Sequence, residues 1–345
     1  MGKNLFSLGS KPLSGFGNAF NSFKDRVSNT ASNIYDKSST IAKDAYQKGT
    51  EAANSAYETG KNTLNNAYEQ GSEYVKGKHR QLLFLPNRKI YSKPEDFGIT
   101  NYENVSIETP DGENLEGYFI KASKDTNKTI IFFNGQGYNS TMCFEQIKKM
   151  QEKIPVNILV VDYRGFGKSS LKSKSVTEEG LITDGKAMYD FLIKKGYKPN
   201  DISFCGVSLG GAVATAVATQ EGVDIDMLII LSSFTTTGDV AADKVDEYNP
   251  FTGKLQKGIQ TVAKQAVACN LNSLENIQNV KAKKVIICHG GNDKYIPYWH
   301  GIRLFEKVKV KDKEFFLVKE AGHIDVLEHC KEREANAIKE HLANK

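Results

Sequence analysis

The chain lacks any long apolar run. No stretch approaches the roughly 18 unbroken apolar residues that a membrane-spanning helix needs. The opening, MGKNLFSLGSKPLSGFGNAF, has no continuous apolar centre of the secretory-signal kind. Gly2 could suggest myristoylation, but Phe6 stands where a Ser or Thr is required, which excludes it. There is no CxxC pair: Cys143, Cys205, Cys269, Cys288 and Cys330 are scattered and mostly in apolar stretches. Such cysteines read as reduced core residues in a cytosol-like compartment. Charge of one sign is also scarce: the net charge is +5 over 345 residues, so no nucleic-acid partner is expected. What remains, 39% hydrophobic and 25% charged residues, is ordinary for a soluble globular protein. The expectation is a cytoplasmic protein, without signal peptide or membrane span, placed at most peripherally on a membrane. Abundant Lys, Asn and Ser fit a low-GC bacterial genome.

Scarcity also divides the chain. Residues 1–80 have no Trp, little Val or Ile, and much Ser, Asn, Ala, Lys and Gly. They repeat: AYQKG, AYETG and AYEQG follow one another, and Tyr35, Tyr46, Tyr57 and Tyr68 are eleven residues apart. Eleven residues close about three helical turns, so each Tyr returns to nearly one face. Ser38, Gly49, Gly60 and Gly71 sit within the same stripe, while Asp36, Lys43, Glu58, Glu69 and Lys76 lie opposite. This is an amphipathic helix with a thin apolar face. Each interior Gly costs it about 1 kcal/mol against Ala, so it needs a surface to lie on. The repeat resembles those of synuclein- and apolipoprotein-type lipid-binding helices and of desiccation proteins. A membrane-seeking helix and a disordered tail are the two readings of this extension. Residues 81–99 read as a linker.

From about residue 100 the pattern changes. NVSIETPDGENLEGYFIKA is two strands about an Asp-Gly turn. KTIIFF, NILVVD, DISFCGV, DIDMLIILSS, KKVIICHG and KEFFLVK are apolar strands with helical patterns between them. Continuous apolar strands alternating with helices predict an α/β domain over 100–345, with a doubly wound, mostly parallel sheet covered on both faces. Residues 233–280 interrupt the rhythm and read as a helical cap. In it, Leu255, Ile259, Val262, Ala266 and Val267 form a stripe suited to a lid, or to an ordinary packed helix.

The sharpest local signal is CGVSLGG, in which Gly206, Ser208 and Gly210 form G-x-S-x-G between an apolar strand and a small-residue helix. That is the setting of a nucleophile elbow, whose turn is too tight for a β-carbon at either glycine. A nucleophilic Ser needs a base and an orienting acid, in the chain order Ser, acid, His. His323, in KEAGHID after the strand EFFLV, stands where the base is needed; Asp293, in HGGNDKYIP after KVIIC, stands where the acid is needed. His289, His300, His329 and His341 fall at the ends or interiors of other elements and read as packed or solvated.

The stretches VVDYRGFGKSS, CGVSLGG, SLENIQNVKAKKVIICHGGNDKYIP and AGHID together resemble the α/β-hydrolases, in the branch of Bem46-like and serine-aminopeptidase-like (monoglyceride-lipase-like) enzymes. The resemblance implies a serine hydrolase with Ser208, Asp293 and His323 as its triad, and neither metal nor cofactor. It also explains the loop FFNGQGYNS: the backbone N–H groups of Gln136 and Leu209 would form the oxyanion hole, each worth about 3 kcal/mol to the transition state. Where the family has His before that Gly, this chain has Asn134. Three functions follow as expectations. The first is cleavage of an acyl ester or thioester, with a lipid or acyl-protein substrate. The second is peptide cleavage, with Asp239, Asp243, Asp246 and Glu247 receiving an α-amino group. The third is an idle binding module, for which Asn134 is the only support.

Overall fold

The computed structural model describes residues 84–173, 175–248 and 271–343. The repeat helix expected over 1–80 lies outside the described residues, as does the cap stripe from Leu255 to Val267.

Eight strands form one sheet: β1 Tyr102–Glu108, β2 Asn114–Ile120, β3 Thr129–Phe133, β4 Asn157–Val161, β5 Ile202–Val207, β6 Ile225–Leu231, β7 Ala282–Gly290 and β8 Asp312–Val318. Their spatial order is β1-β2-β4-β3-β5-β6-β7-β8. The first two pairings, β1 with β2 and β2 with β4, are antiparallel. Every later pairing is parallel. The expected doubly wound sheet is therefore present, with an antiparallel hairpin at one edge.

Side chains alternate between faces with period two along each strand. Phe133, Phe204, Ile230 and Ile287 join one core, and Phe132, Cys205, Ile229 and Ile286 join the other. Helices α2 Glu178–Lys194 and α3 Leu209–Val217 fill the first face, α2 through Leu181, Met188 and Leu192 and α3 through Ala212 and Val213. The second face receives α1 Phe144–Lys153 through Phe144, Ile147 and Met150. Further helices are α4 Thr237–Tyr248, the short α5 Ser273–Asn276, α6 Trp299–Lys307, the short α7 Val326–His329 and α8 Glu332–Ala343. α2 starts where its sequence says it should: the Thr177 side chain accepts the Gly180 N–H at 3.1 Å, and Glu178 and Glu179 follow at the positive end of the helix dipole.

Residues 84–99, read from sequence as part of a connecting segment, are packed on this body. Phe84, Pro94 and Ile99 are buried, and Pro94–Phe97 forms a 3-10 turn. Among the described residues no helix is long and apolar enough to cross a membrane.

Candidate active site

The parallel strands β5, β7 and β8 each end in a loop on one side of the sheet, and those loops carry the three residues singled out by the sequence. β5 runs straight into α3 through Ser208, whose backbone is held at φ 54° and ψ −118°. A non-glycine residue there is strained, and the surroundings maintain it. Ser208 N–H donates to Leu231 O at 2.9 Å, while Ser208 O accepts from Gly211 N at 3.0 Å and from Ser233 Oγ at 2.7 Å. The turn leaves no room beside it: a β-carbon on Gly206 would lie 2.2 Å from Gly210 O, and one on Gly210 would lie 2.0 Å from Phe133 O. Both glycines of the motif are required by close approach.

His323 occupies the loop between β8 and α7. Its Nδ1 is 2.7 Å from Asp293 Oδ2 and its Nε2 is 3.0 Å from Ser208 Oγ. The carboxylate can only accept, so Nδ1 carries the proton and Nε2 is free to accept from the Ser208 hydroxyl. Asp293 is fixed by its own turn, its Oδ1 accepting the N–H groups of Tyr295 and Ile296 at 2.9 Å each. Burial by itself would raise the Asp293 pKa. Hydrogen bonds from His289 and His323, the charge on His323 and the Ile296 N–H outweigh burial and hold the carboxyl well below its ordinary range.

His289, which by sequence reads as a packed or solvated residue, belongs to this arrangement. It is fully buried, with Nε2 2.9 Å from Ile296 O and 3.5 Å from Asp293 Oδ2. Its Nε2–H therefore faces the same carboxylate that holds His323. The signal was spacing: His289 and Asp293 flank one Gly-Gly turn and are four residues apart.

The loop after β3 lies against the nucleophile turn. A β-carbon on Gly135 would sit 3.5 Å from Val207 O and 3.8 Å from Ser208 Cβ, so the backbone enters Gln136 from a point close to Ser208. Gly135 to Tyr138 is a tight turn, closed by Tyr138 N–H to Gly135 O at 3.2 Å, with Gly137 at φ 72° as its left-handed corner. Asn134, at the family's His position, is buried; its Oδ1 accepts from Cys143 Sγ at 3.1 Å, and its Nδ2 has no hydrogen-bond partner. The side-chain contact that braces the loop at this position is therefore with a thiol. Asp162, after β4, braces the next stretch by accepting Ser140 N–H at 2.5 Å and Ser140 Oγ–H at 3.1 Å. Burial pushes the Asp162 pKa up to about 6, against the pull of those Ser140 bonds. The neighbouring thiols of Cys143 and Cys205 are pushed upward chiefly by burial and stay protonated.

The acidic residues proposed for an α-amino group are otherwise engaged where they can be seen. Asp239 accepts the Thr235 hydroxyl at 2.6 Å, and Asp243 lies 2.9 Å from His300 Nε2. The side chains of Asp246 and Glu247 lie outside the described ones. Among the described residues, no cluster of three or more His, Cys, Asp or Glu side chains gathers as a metal site.

Strand order, helix placement and the Ser–His–Asp contacts after β5, β8 and β7 define the architecture of an α/β-hydrolase. The chain belongs to the prolyl oligopeptidase family, whose family model matches residues 156–343, more than half of its length. It is similar to protein R595 of Acanthamoeba polyphaga mimivirus, 28% identical over 215 residues that cover 60% of this chain and 70% of that one. It is also similar to protein bem46 of Schizosaccharomyces pombe, 23% identical over 257 residues, covering 72% of this chain and 81% of its relative. Among solved structures, the esterase Pf2001 of Pyrococcus furiosus shares the fold, with a TM-score of 0.59 at 20% identity, covering 75% of this chain and 96% of the esterase. Hydrolysis is the class of chemistry that the family brings.

Proposed function

We propose that the protein is a serine hydrolase that cleaves acyl esters or thioesters through an acyl-enzyme. The observation that carries the reading is the relay of two contacts, Ser208 Oγ to His323 Nε2 at 3.0 Å and His323 Nδ1 to Asp293 at 2.7 Å. Ser208 Oγ attacks the acyl carbonyl carbon as its proton passes to His323 Nε2. Asp293, held ionised, keeps His323 in the receptive tautomer and stabilises the imidazolium that forms. The N–H groups of Gln136 and Leu209 receive the oxyanion. His323 returns the proton to the leaving alcohol or thiol, and then draws one from the water that releases the acid.

The substrate class in this reading is a lipid or an acylated protein, presented at a membrane on which residues 1–80 lie as a peripheral helix. Liposome flotation of the full chain, set beside a variant lacking 1–80, tests the membrane part; equal flotation would remove it. For the chemistry, wild type should hydrolyse a short-chain nitrophenyl ester and take a fluorophosphonate label at Ser208, and Ser208→Ala should do neither. Equal turnover by the two proteins would sink the reading, and an unlabelled, folded wild type would favour the idle binding module.

The family description favours a second reading, peptide cleavage by the same three residues. Against it stand Asp239 and Asp243, each tied to a buried neighbour and unsuited to receive an amine. Fluorogenic peptide amides screened beside the esters separate the two readings.

A further inference from the structure

The loop that would supply one half of the oxyanion hole is not held by the sheet alone. A strap of residues 87–92, fifty positions earlier in the chain, lies along it. Asn87 Nδ2 donates to Gly137 O at 3.0 Å, with Tyr91 Oη at 3.1 Å and Met142 Sδ at 3.6 Å within reach of the same amide. Asn139 answers from the loop: its Nδ2 donates to Asn87 O at 3.0 Å and to Lys89 O at 2.8 Å. Asn139 Oδ1 meanwhile accepts Thr141 N–H, capping the turn at Ser140–Met142. Tyr91 N–H donates to Thr141 Oγ1 at 3.1 Å, and the Ser92 hydroxyl donates to Thr141 O. Gly167 N–H also donates to Asn87 O, at 2.9 Å, which ties the strap to the loop after β4.

Two asparagines thus bond across the seam, Asn139 of the loop to the strap's backbone at Asn87 and Lys89, and Asn87 of the strap to the loop's backbone at Gly137. Within this lattice Asn87 has a distinct place. Gly137 is the left-handed corner of the turn that contains Gln136, and its carbonyl is the group that Asn87 grips. A peptide plane at such a corner rotates at small cost, because glycine adopts either sign of φ. The Gly137 carbonyl shares its peptide unit with the Tyr138 N–H, which donates to Gly135 O at 3.2 Å, and Gly135 O belongs to the peptide that carries the Gln136 N–H, so rotation of the Gly137 plane pulls on the donor's own peptide. Fixing that carbonyl fixes the direction of the donor.

We propose that Asn87 is a positioning residue for hydrolysis: through Gly137 it aims the Gln136 N–H at the oxyanion, and the strap 87–92 is part of the catalytic apparatus. The inference rests on the hydrolase reading given above. It concerns the transition state more than the bound substrate. A donor misdirected by a fraction of an ångström loses most of its worth where charge develops, and little where the ground-state carbonyl sits.

The test uses full-chain wild type, Asn87→Ala and Asn87→Asp. The Asp variant is the same size and keeps the acceptor for Lys89 N–H, which lies 3.1 Å from Asn87 Oδ1, but presents an oxygen where Gly137 O needs a donor. Active sites are counted by fluorophosphonate titration, and nitrophenyl ester kinetics are expressed per site. Per titrated site, kcat should fall roughly ten- to a hundred-fold in both variants, while KM moves less than about threefold. The inhibition constant of a trifluoromethyl ketone, which forms a tetrahedral oxyanion on the serine, should rise in step with the fall in kcat/KM. A kcat per site within twofold of wild type in the variants overturns the proposal. So does a loss of activity explained wholly by fewer titratable sites, the mark of a merely structural role. Wild type that neither turns over ester nor labels at Ser208 would overturn the hydrolase reading and this inference with it.

Discussion

Two arrangements of hydroxyl, imidazole and carboxylate among the described residues invite comparison, and they differ in whether the hydroxyl faces a base with a free lone pair. In the first, Ser208 Oγ meets His323 Nε2 and Asp293 meets Nδ1. In the second, Thr235 Oγ1 is 2.8 Å from His300 Nδ1, and His300 Nε2 is 2.9 Å from Asp243 Oδ2. The residue types match, but the hydrogen-bond accounts differ. His300 Nδ1 accepts Thr235 N–H at 3.1 Å, and the Thr235 hydroxyl proton goes to Asp239 at 2.6 Å. Thr235 and His300 are both fully buried, and Trp299 stacks on the His300 ring at 3.7 Å. No proton there awaits a base. Ser208 is forced to positive φ at a helix start and is only partly buried, as is His323. A nucleophile needs an approachable oxygen and a base with a free lone pair, and the Thr235 group ties the root of α4 to α6.

Substitutions separate these two roles. Removing the nucleophile should be the severest: Ser208→Ala should lower kcat for a nitrophenyl ester by about 10⁶-fold, to the level left by binding and the oxyanion hole, in single-turnover assays. Asp293→Asn comes next. Its amide can present an N–H to His323 Nδ1 and stabilise the wrong tautomer, so kcat should fall about 10⁴-fold while fold and KM persist. A smaller effect concerns the Asp162 brace. Burial raises its pKa in the fold to about 6 from the ordinary 3.8, so the native state holds the proton more tightly than the unfolded chain. The stability this lends is complete below pH ~4 and is lost as pH rises through ~6. Relative to Asp162→Asn, wild type should therefore lose up to about 3 kcal/mol across that window, read from melting curves at each pH. Thr235→Val should leave activity least changed. It removes a hydrogen bond to a carboxylate, costs about 2 kcal/mol of stability, and keeps kcat per titrated site within about twofold. A large kcat loss there would erase the contrast drawn between the two arrangements.

What could be read from the sequence was local. Each parallel strand is a short apolar run, and Ser208, Asp293 and His323 each follow such a run within a few residues, so order along the chain implied convergence in space. Gly206 and Gly210 announced the tight turn for the same reason. The strap was not legible. Residues 87–92 have neither period nor apolar run, and what fixes them are polar atoms on Gly137, Asn139 and Thr141 about fifty positions away. His300 could be placed on a helix, but its bonds to Thr235 and Asp243 span 65 and 57 residues and leave no mark in spacing. His289 was near enough to Asp293 to be noticed. Its role depends on a Gly-Gly turn folding the imidazole back toward the carboxylate, which is a fact of backbone path.

The crossover wiring of the sheet has a consequence for the order of assembly. The Ser208–His323 bond joins residues 115 positions apart, across a sheet edge on which β6, β7 and β8 are laid side by side. The elbow itself needs β5, α3, the loop after β3 and the end of β6, where Leu231 O accepts the Ser208 N–H. During refolding, contacts so distant in sequence pay their loop-closure entropy late. Regain of secondary structure should therefore run ahead of regain of turnover, and the lag between the two signals would time the docking of β7 and β8. Under the proposed function, turnover then serves as a clock for the last stage of folding, and partly assembled chains carry Ser208 without its imidazole partner.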